Sequence, residues 1–325
     1  MDPRLRRTLG PAYPVLMRLK SSPAAGIGKA LPGAVPYWLA RRRGGDTIGL
    51  DLRAPIGMGA LIAHAILYHA HFERAGTPLR VRSGNPLYSQ GGEDVLAAFF
   101  EREPWPADLR PLSPAAEAFV LAFVRLHHLP LAEARRIMAR HFRPNARLRE
   151  AIAGAAGEDA RFDLSIHFRA TDKYLESGRV THQRMFAALD PHLDGRARPH
   201  VFLATDEPAF AAAARARYPQ ARWSTFTLGE VEDGTPRHFS SLSPEAKATE
   251  ALVNIHLLAR APLCVRTSSY LSAISGLVNP QLRTVTISRT LAKRSPFPEH
   301  EILQAEQAGA DRSHPAALRQ ADARP

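Results

Sequence analysis

Three short apolar runs in the second half of the chain each stop abruptly in a polar cluster. Phe162-Asp163-Leu164-Ser165-Ile166 runs into His167, Arg169, Thr171, Asp172 and Lys173. His200-Val201-Phe202-Leu203-Ala204 runs into Thr205-Asp206-Glu207-Pro208, and Leu263-Cys264-Val265 into Arg266-Thr267-Ser268-Ser269. Helical stretches at residues 209–218, 244–259 and from Tyr270 alternate with them, and residues 221–226 and 283–287 read as two more strands. Strands alternating with helices predict a parallel sheet. Its carboxyl ends share one edge, and that is where ligands bind in open α/β sheets. Three polar clusters on one such edge point to a nucleotide or sugar-phosphate site.

The cluster after the first of these strands carries the most chemistry. A guanidinium grips a phosphate through paired hydrogen bonds, and a nearby carboxylate can accept a proton. Lys173 is one of five lysines among 43 basic residues. In a chain that prefers arginine almost everywhere, a lysine beside Asp172 reads as a chemical choice. Thr267, Ser268 and Ser269 precede a helix, where they either cap it or bind a phosphate with hydroxyl and backbone N–H groups.

The first half is less informative. Residues 46–53 alternate like a strand, residues 55–59 form a turn, residues 61–74 show a helical apolar face, and a second strand starts at Leu79. Gly57 and Gly59 sit between strand and helix, but Ile62 replaces the third glycine of a dinucleotide fingerprint and no acid ends the next strand. These glycines are read as a tight turn that lets a ligand approach closely. Residues 113–155 read as helical, with Ser113-Pro114 as a cap.

Composition narrows the class. The chain has 325 residues and a net charge of +12, which raises nucleic acid as a partner. Residues 1–45 hold nine Arg and Lys against Asp2, so the rest of the chain carries only +4. The excess sits in a Pro-, Gly- and Ala-rich arm, read as a solvated tail or a peripheral contact with anionic lipid. Nucleic acid is therefore disfavoured. A single cysteine, Cys264, fits a reducing, cytoplasmic compartment. The spacing of His64, His69 and His71 places no metal-binding pair on one helix face, His127 and His128 point apart, and no H-E-x-x-H occurs. The three histidines are read as surface-facing or satisfied within the fold, and no resident metal or cofactor is expected.

The segment His167-Phe168-Arg169-Ala170-Thr171-Asp172-Lys173 resembles the H-V-R-R-T-D-K motif of the α-1,6-fucosyltransferase family, which has animal and rhizobial members. FLATDEP at 202–208 is similar to its second motif, a strand ending in A-T-D-D-P. LVNIHLLARAPLCVRTSS at 252–269 is similar to its third, a D-I-H helix leading to a strand and a serine loop. Arg143-Pro144-Asn145 before a helix also suits the family. The order and spacing agree over roughly residues 140–280.

The resemblance implies a GT-B-like α/β architecture of two Rossmann-like domains with mainly parallel sheets. The expected divisions are a basic arm at 1–45, an acceptor-side domain at 46–155, a nucleotide-sugar domain at 156–306 and a disordered tail at 307–325. It implies metal-independent transfer of fucose from GDP-fucose, with inversion, to a glycan or glycolipid, in a bacterial cytoplasmic protein. By resemblance Arg169 binds the pyrophosphate, while His167, Asp206 and Thr267 to Ser269 line the donor. Asn254 stands where the family has an Asp that holds guanine. Asp172, Lys173 and Glu176 act at the acceptor, and Gly57 and Gly59 lie on the acceptor side. Ala170 replaces the motif's second arginine. That loss, with the change at Asn254, defines the alternatives: a protein that binds a nucleotide sugar without transferring it, or a transferase that uses another nucleotide sugar.

Overall fold

The computed structural model describes residues 34, 37, 47–125, 128–157, 160–169, 180–229, 237–287 and 296–313. The first half runs β1 (Ile48–Asp51), α1 (Met58–Arg74), β2 (Leu79–Arg82), α2 (Val95–Phe99), α3 (Pro114–Val124), α4 (Leu131–His141) and α5 (Ala146–Ala156). The second half begins β3 (Leu164–Phe168), α6 (His182–Leu193), β4 (His200–Thr205), α7 (Pro208–Arg217) and β5 (Arg222–Ser224). After a 3₁₀ turn at Arg237–Phe239 come α8 (Pro244–Leu258), β6 (Leu263–Arg266), α9 (Tyr270–Val278), β7 (Arg283–Thr286) and α10 (Glu299–Ser313).

β1 and β2 pair in parallel. The other five strands form a parallel sheet in the order β5-β4-β3-β6-β7. The chain winds outward from β3 through β5, then returns to the far side of β3 with β6. The crevice between the ends of β3 and β6 is thus a topological switch point, the place where such sheets bind ligands.

The period of two along the strands builds two cores. Leu164, Ile166, Phe168, Val201, Leu203 and Val265 face one side, where Met185, Leu189 and Phe210 of α6 and α7 cover them. Phe202, Ala204 and Cys264 face the other side and join a core that includes α1, α8 and α9. β3 is buried along its whole length, as a central parallel strand must be. α1 is buried nearly all round, including Ile62, Ile66, Tyr68 and Phe72, so it behaves as a core helix and not an amphipathic one.

Caps close the helices where the sequence places them. Ser113 Oγ accepts from the Ala116 N–H at 3.3 Å, Asn145 Oδ1 from Leu148 at 3.1 Å and Ser243 Oγ from Ala246 at 3.2 Å. The sequence did not anticipate α2, α6 or α10. α6 is the crossover that a parallel β3–β4 pair requires, and Pro191 in its last turn masked the helical pattern. α10 continues to Ser313, past the tail boundary expected at 307, and residues 314–325 lie outside the described residues. Buried Ile302 and Leu303 and the Glu306 carboxylate, which accepts from Thr286 N (3.2 Å) and Oγ1 (2.8 Å), hold it to β7. The arm, expected as a solvated tail, is packed at Tyr37, whose ring lies 6.5 Å from Phe72 and 5.9 Å from Phe119. The rest of the arm, apart from Ala34, lies outside the described residues.

Two of the three α1 histidines, His64 and His69, are buried, and His71 is partly exposed. His64 is buried and paired with Arg125 Nη2 at 2.6 Å, and burial, then the Arg125 charge, pushes its pKa down to about 3. It is therefore neutral and accepts that bond. His69 is buried and stacks on His141, with ring centres 3.8 Å apart.

Among the described residues, one ion pair is almost wholly shut off from solvent. Arg266, with no exposed surface, bonds Glu299, Thr286 Oγ1 (3.0 Å), Ser272 Oγ (2.9 Å) and Ser269 O (3.3 Å). Removing one partner of such a pair typically costs about 3–5 kcal/mol, whereas an apolar replacement of both is often neutral. Glu299→Ala is expected to lower unfolding stability in urea by about that amount, with Arg266→Met/Glu299→Leu recovering most of it. An unchanged midpoint for the single variant would refute the role given to this pair.

Candidate functional site

The carboxyl ends of β3 and β6 are joined by hydrogen bonds. The Thr267 N–H donates to His167 O at 2.9 Å, and the Arg169 N–H donates to Thr267 Oγ1 at 2.9 Å. On the same strand, Ser165 Oγ donates to Leu258 O at 2.9 Å, tying β3 to the end of α8. The backbone that carries Arg169 is thereby held at the switch point. Its Nε lies 3.8 Å from Oδ2 of Asp206, which is buried just beyond β4. From the first half of the chain, Tyr88 Oη accepts the Met58 N–H at 2.9 Å. Burial pushes the Tyr88 phenol up to about 12, while the Met58 bond and the Arg169 charge act the other way.

These groups open onto a cleft of about 880 Å³. Its walls come from residues 55–60 and Tyr88 on one side and from the ends of β3 and β4 on the other. Phe226, Arg237, α8 and the start of α9 complete them. Arg169, Arg215, Arg237 and Lys247 line it, against two acids, Asp206 and Glu250. Burial lowers the Lys247 pKa. The surplus of positive charge suits a polyanionic ligand.

α8 presents a polar stripe to this space. Lys247, Glu250 and Asn254 lie three and four residues apart, so they share one helix face, and all three line the cleft. Glu250 accepts from Arg237 Nε (2.7 Å) and Nη2 (2.5 Å) and from the Leu228 N–H (2.6 Å), which pins the loop before α8. Asn254 Nδ2 donates to Phe226 O (3.1 Å) and Glu250 O (2.9 Å). Two converging carbonyls require a donor at that position. The amide oxygen, Oδ1, is left buried with no hydrogen-bond partner.

The start of α9 is already supplied with an anion. Ser269 N–H donates to Glu299 Oε1 at 2.6 Å, and Ser269 Oγ accepts from the Leu271 N–H at 3.3 Å. Of the hydroxyl cluster only Ser269 lines the cleft, while Thr267 and Ser268 are buried behind it. Thr267 acts by positioning Arg169. Gly57 and Gly59 also line the cleft, but the helix starts at Met58, so Gly59 lies inside its first turn and not in a turn before it. A Cβ on Gly59 would stand 2.7 Å from the Tyr270 carbonyl carbon and 2.8 Å from the Leu271 nitrogen. That glycine permits close approach of another backbone and not of a ligand. Gly57 has φ −60° and open space around it.

The structure therefore brings His167, Arg169, Asp206, Asn254, Ser269, Gly57 and Gly59 to one cleft. Asp172, Lys173 and Glu176 lie outside the described residues. Sequence reasoning missed Tyr88, Arg215, Arg237, Lys247 and Glu250. Lys247 carried a signal, as one of five lysines and part of the α8 stripe with Asn254.

The fold is that of a known class of transferase structures. NodZ α-1,6-fucosyltransferase soaked with GDP-fucose matches it with a TM-score of 0.50 at 16% identity, covering 72% of this chain and 93% of NodZ. This match shows the GT-B-like fold. NodZ from Bradyrhizobium matches with a TM-score of 0.49 at 17% identity over 73% of this chain and 95% of the other. A variant of Arabidopsis thaliana FUT1 in complex with GDP matches with a TM-score of 0.46 at 12% identity over 89% and 80%. No protein-family model matches the sequence, and no curated protein does.

Three substitutions test this geometry. Asn254→Asp places a carboxylate against two carbonyl oxygens and is expected to destabilise the fold by about 1–3 kcal/mol, measured by chemical denaturation. A variant as stable as the parent would show that the two carbonyls do not select the amide. Gly59→Ala is expected to lower the melting temperature through a clash costing about 1–3 kcal/mol, while Gly57→Ala leaves it nearly unchanged. Equal effects would remove the distinction between the two glycines.

Proposed function

We propose that this chain is an inverting, metal-independent glycosyltransferase that moves fucose from GDP-fucose to a glycan or glycolipid acceptor. The observation that carries this reading is Arg169, held by the Thr267 bond at the switch point and facing a cleft with surplus positive charge. A guanidinium there can bind the diphosphate and stabilise the charge that grows on it as the bond to the sugar breaks. The cleft volume suits a nucleotide sugar. Asn254 Oδ1 offers a hydrogen-bond acceptor for an N–H on the edge of a guanine base, the role a carboxylate has in the family the motifs resemble. Phe226 and Tyr270 add aromatic surface. The crystal structure of NodZ, which shares the fold, is of protein soaked with GDP-fucose.

In this reading an acceptor hydroxyl attacks the anomeric carbon from the side opposite the diphosphate. The bond from that carbon to the phosphate oxygen breaks, GDP leaves, and a carboxylate takes the hydroxyl proton. Asp172 or Glu176 is the base we propose, with Lys173 orienting the acceptor. The divisions at 46–155 and 156–306 then correspond to the acceptor and donor sides. A cytoplasmic site of action, with the basic arm against the inner face of a membrane, accords with the single buried cysteine. No helix among the described residues is long and apolar enough to cross a membrane.

Calorimetric titration with GDP, GDP-fucose, GDP-mannose and UDP, followed by an acceptor screen, tests the proposal. Arg169→Ala keeps the backbone bond to Thr267, so it should fold, yet lose about 10²–10³-fold in turnover. Near-normal turnover would overturn the role of Arg169. Preference for UDP would overturn the donor. GDP binding without product from any acceptor would favour the non-catalytic reading.

A further inference from the structure

We infer that His128, His300 and Glu301 form a binding site for a divalent transition-metal ion of the zinc class. It lies apart from the cleft, since none of the three lines that space. Their donor atoms, one from each residue, all lie within 4.8 Å of one another. His128 Nδ1 is already 3.5 Å from Glu301 Oε1. Zinc bonds of about 2.0–2.1 Å in tetrahedral geometry hold ligand atoms about 3.3 Å apart, so only a small inward movement is needed. The His128 side chain is 74% exposed and has room to make it. The rings of His128 and His300 lie 4.6 Å apart at 32°, so both imidazoles already share one small space.

A second observation comes from Glu301. Its side chain is only 10% exposed, and Oε2 is buried with no hydrogen-bond partner. A cation supplies what that oxygen lacks. Two imidazoles and one carboxylate suit zinc, cobalt or nickel better than magnesium or calcium, and water completes the shell on the exposed side. His128 is 173 positions from Glu301 in sequence, which is why no spacing motif revealed the group. His300 and Glu301 lie in the first turn of α10, and His128 lies between α3 and α4. The ion would clasp the start of α10 to the first half of the chain. That same turn carries Glu299, which holds Ser269 at the cleft wall.

The test uses untagged full-length protein freed of metal with a chelator. Titration with Zn²⁺ by calorimetry and with Co²⁺ by visible absorption is expected to show one equivalent bound and the bands of a low-coordinate cobalt site. The melting temperature should rise with Zn²⁺, because an ion that binds only the folded state stabilises it. Losing a neighbour outside the ligand set typically weakens metal binding about 10–100-fold, so His128→Ala, at an exposed position, should weaken it by at least about 100-fold and remove the melting shift. Glu301→Gln should do likewise. Parent protein that binds Zn²⁺ and Co²⁺ no more tightly than His128→Ala would overturn the site.

Discussion

The second half of this molecule is organised around a charge with no access to water. Arg266 ends β6 fully buried beside the start of α9, where a lone guanidinium would be untenable. Glu299 neutralises it, Thr286 draws in β7, and Ser269 and Ser272 draw in the first turn of α9. Four elements therefore converge on one side chain. The same carboxylate takes the Ser269 N–H, so the wall of the cleft and the placement of the C-terminal helix depend on one pair.

The cleft separates positioning from chemistry. Thr267, Ser165 and Glu250 are spent on backbone groups and neighbours, and they set the places of Arg169, β3 and Arg237. The charged groups that face the space are mostly cationic, and the buried Asn254 oxygen and aromatic surface line it with them. Asn254 shows how a departure from a motif can be dictated locally. Two carbonyls point at its nitrogen, so in this chain the position needs an amide whatever the ligand.

The three central strands of the sheet, β3, β4 and β6, were legible in the sequence because they are short, apolar and cut off by polar residues. The residues gathered at the ends of β3 and β4 were legible for the same reason. Elements with mixed signals were not: α6 contains Pro191, and α10 is anchored by Glu306 on Thr286 of β7, a contact between two elements that no local periodicity reveals. Gly59 was read as allowing a ligand to approach, but the partner that requires a glycine is the Tyr270 backbone, which only the folded chain brings near. The hydroxyl cluster looked like an anion site because it stands before a helix. The anion that meets Ser269 is the chain's own Glu299, 30 residues on. Arg215 and Arg237 carried no local signal in a sequence this rich in arginine.

The burial of α1 has a further consequence. Its residues share one continuous core with Leu252, Ile255, Ile274 and Leu277 from α8 and α9. The wall that would face an acceptor and the wall that would face a donor are therefore not separable parts. Cutting the chain near residue 157 would leave each piece with an uncovered apolar surface. In such a fold, recombination cannot exchange one half for that of a relative without repacking the centre, and new specificity must arise by substitution along the rim of the cleft.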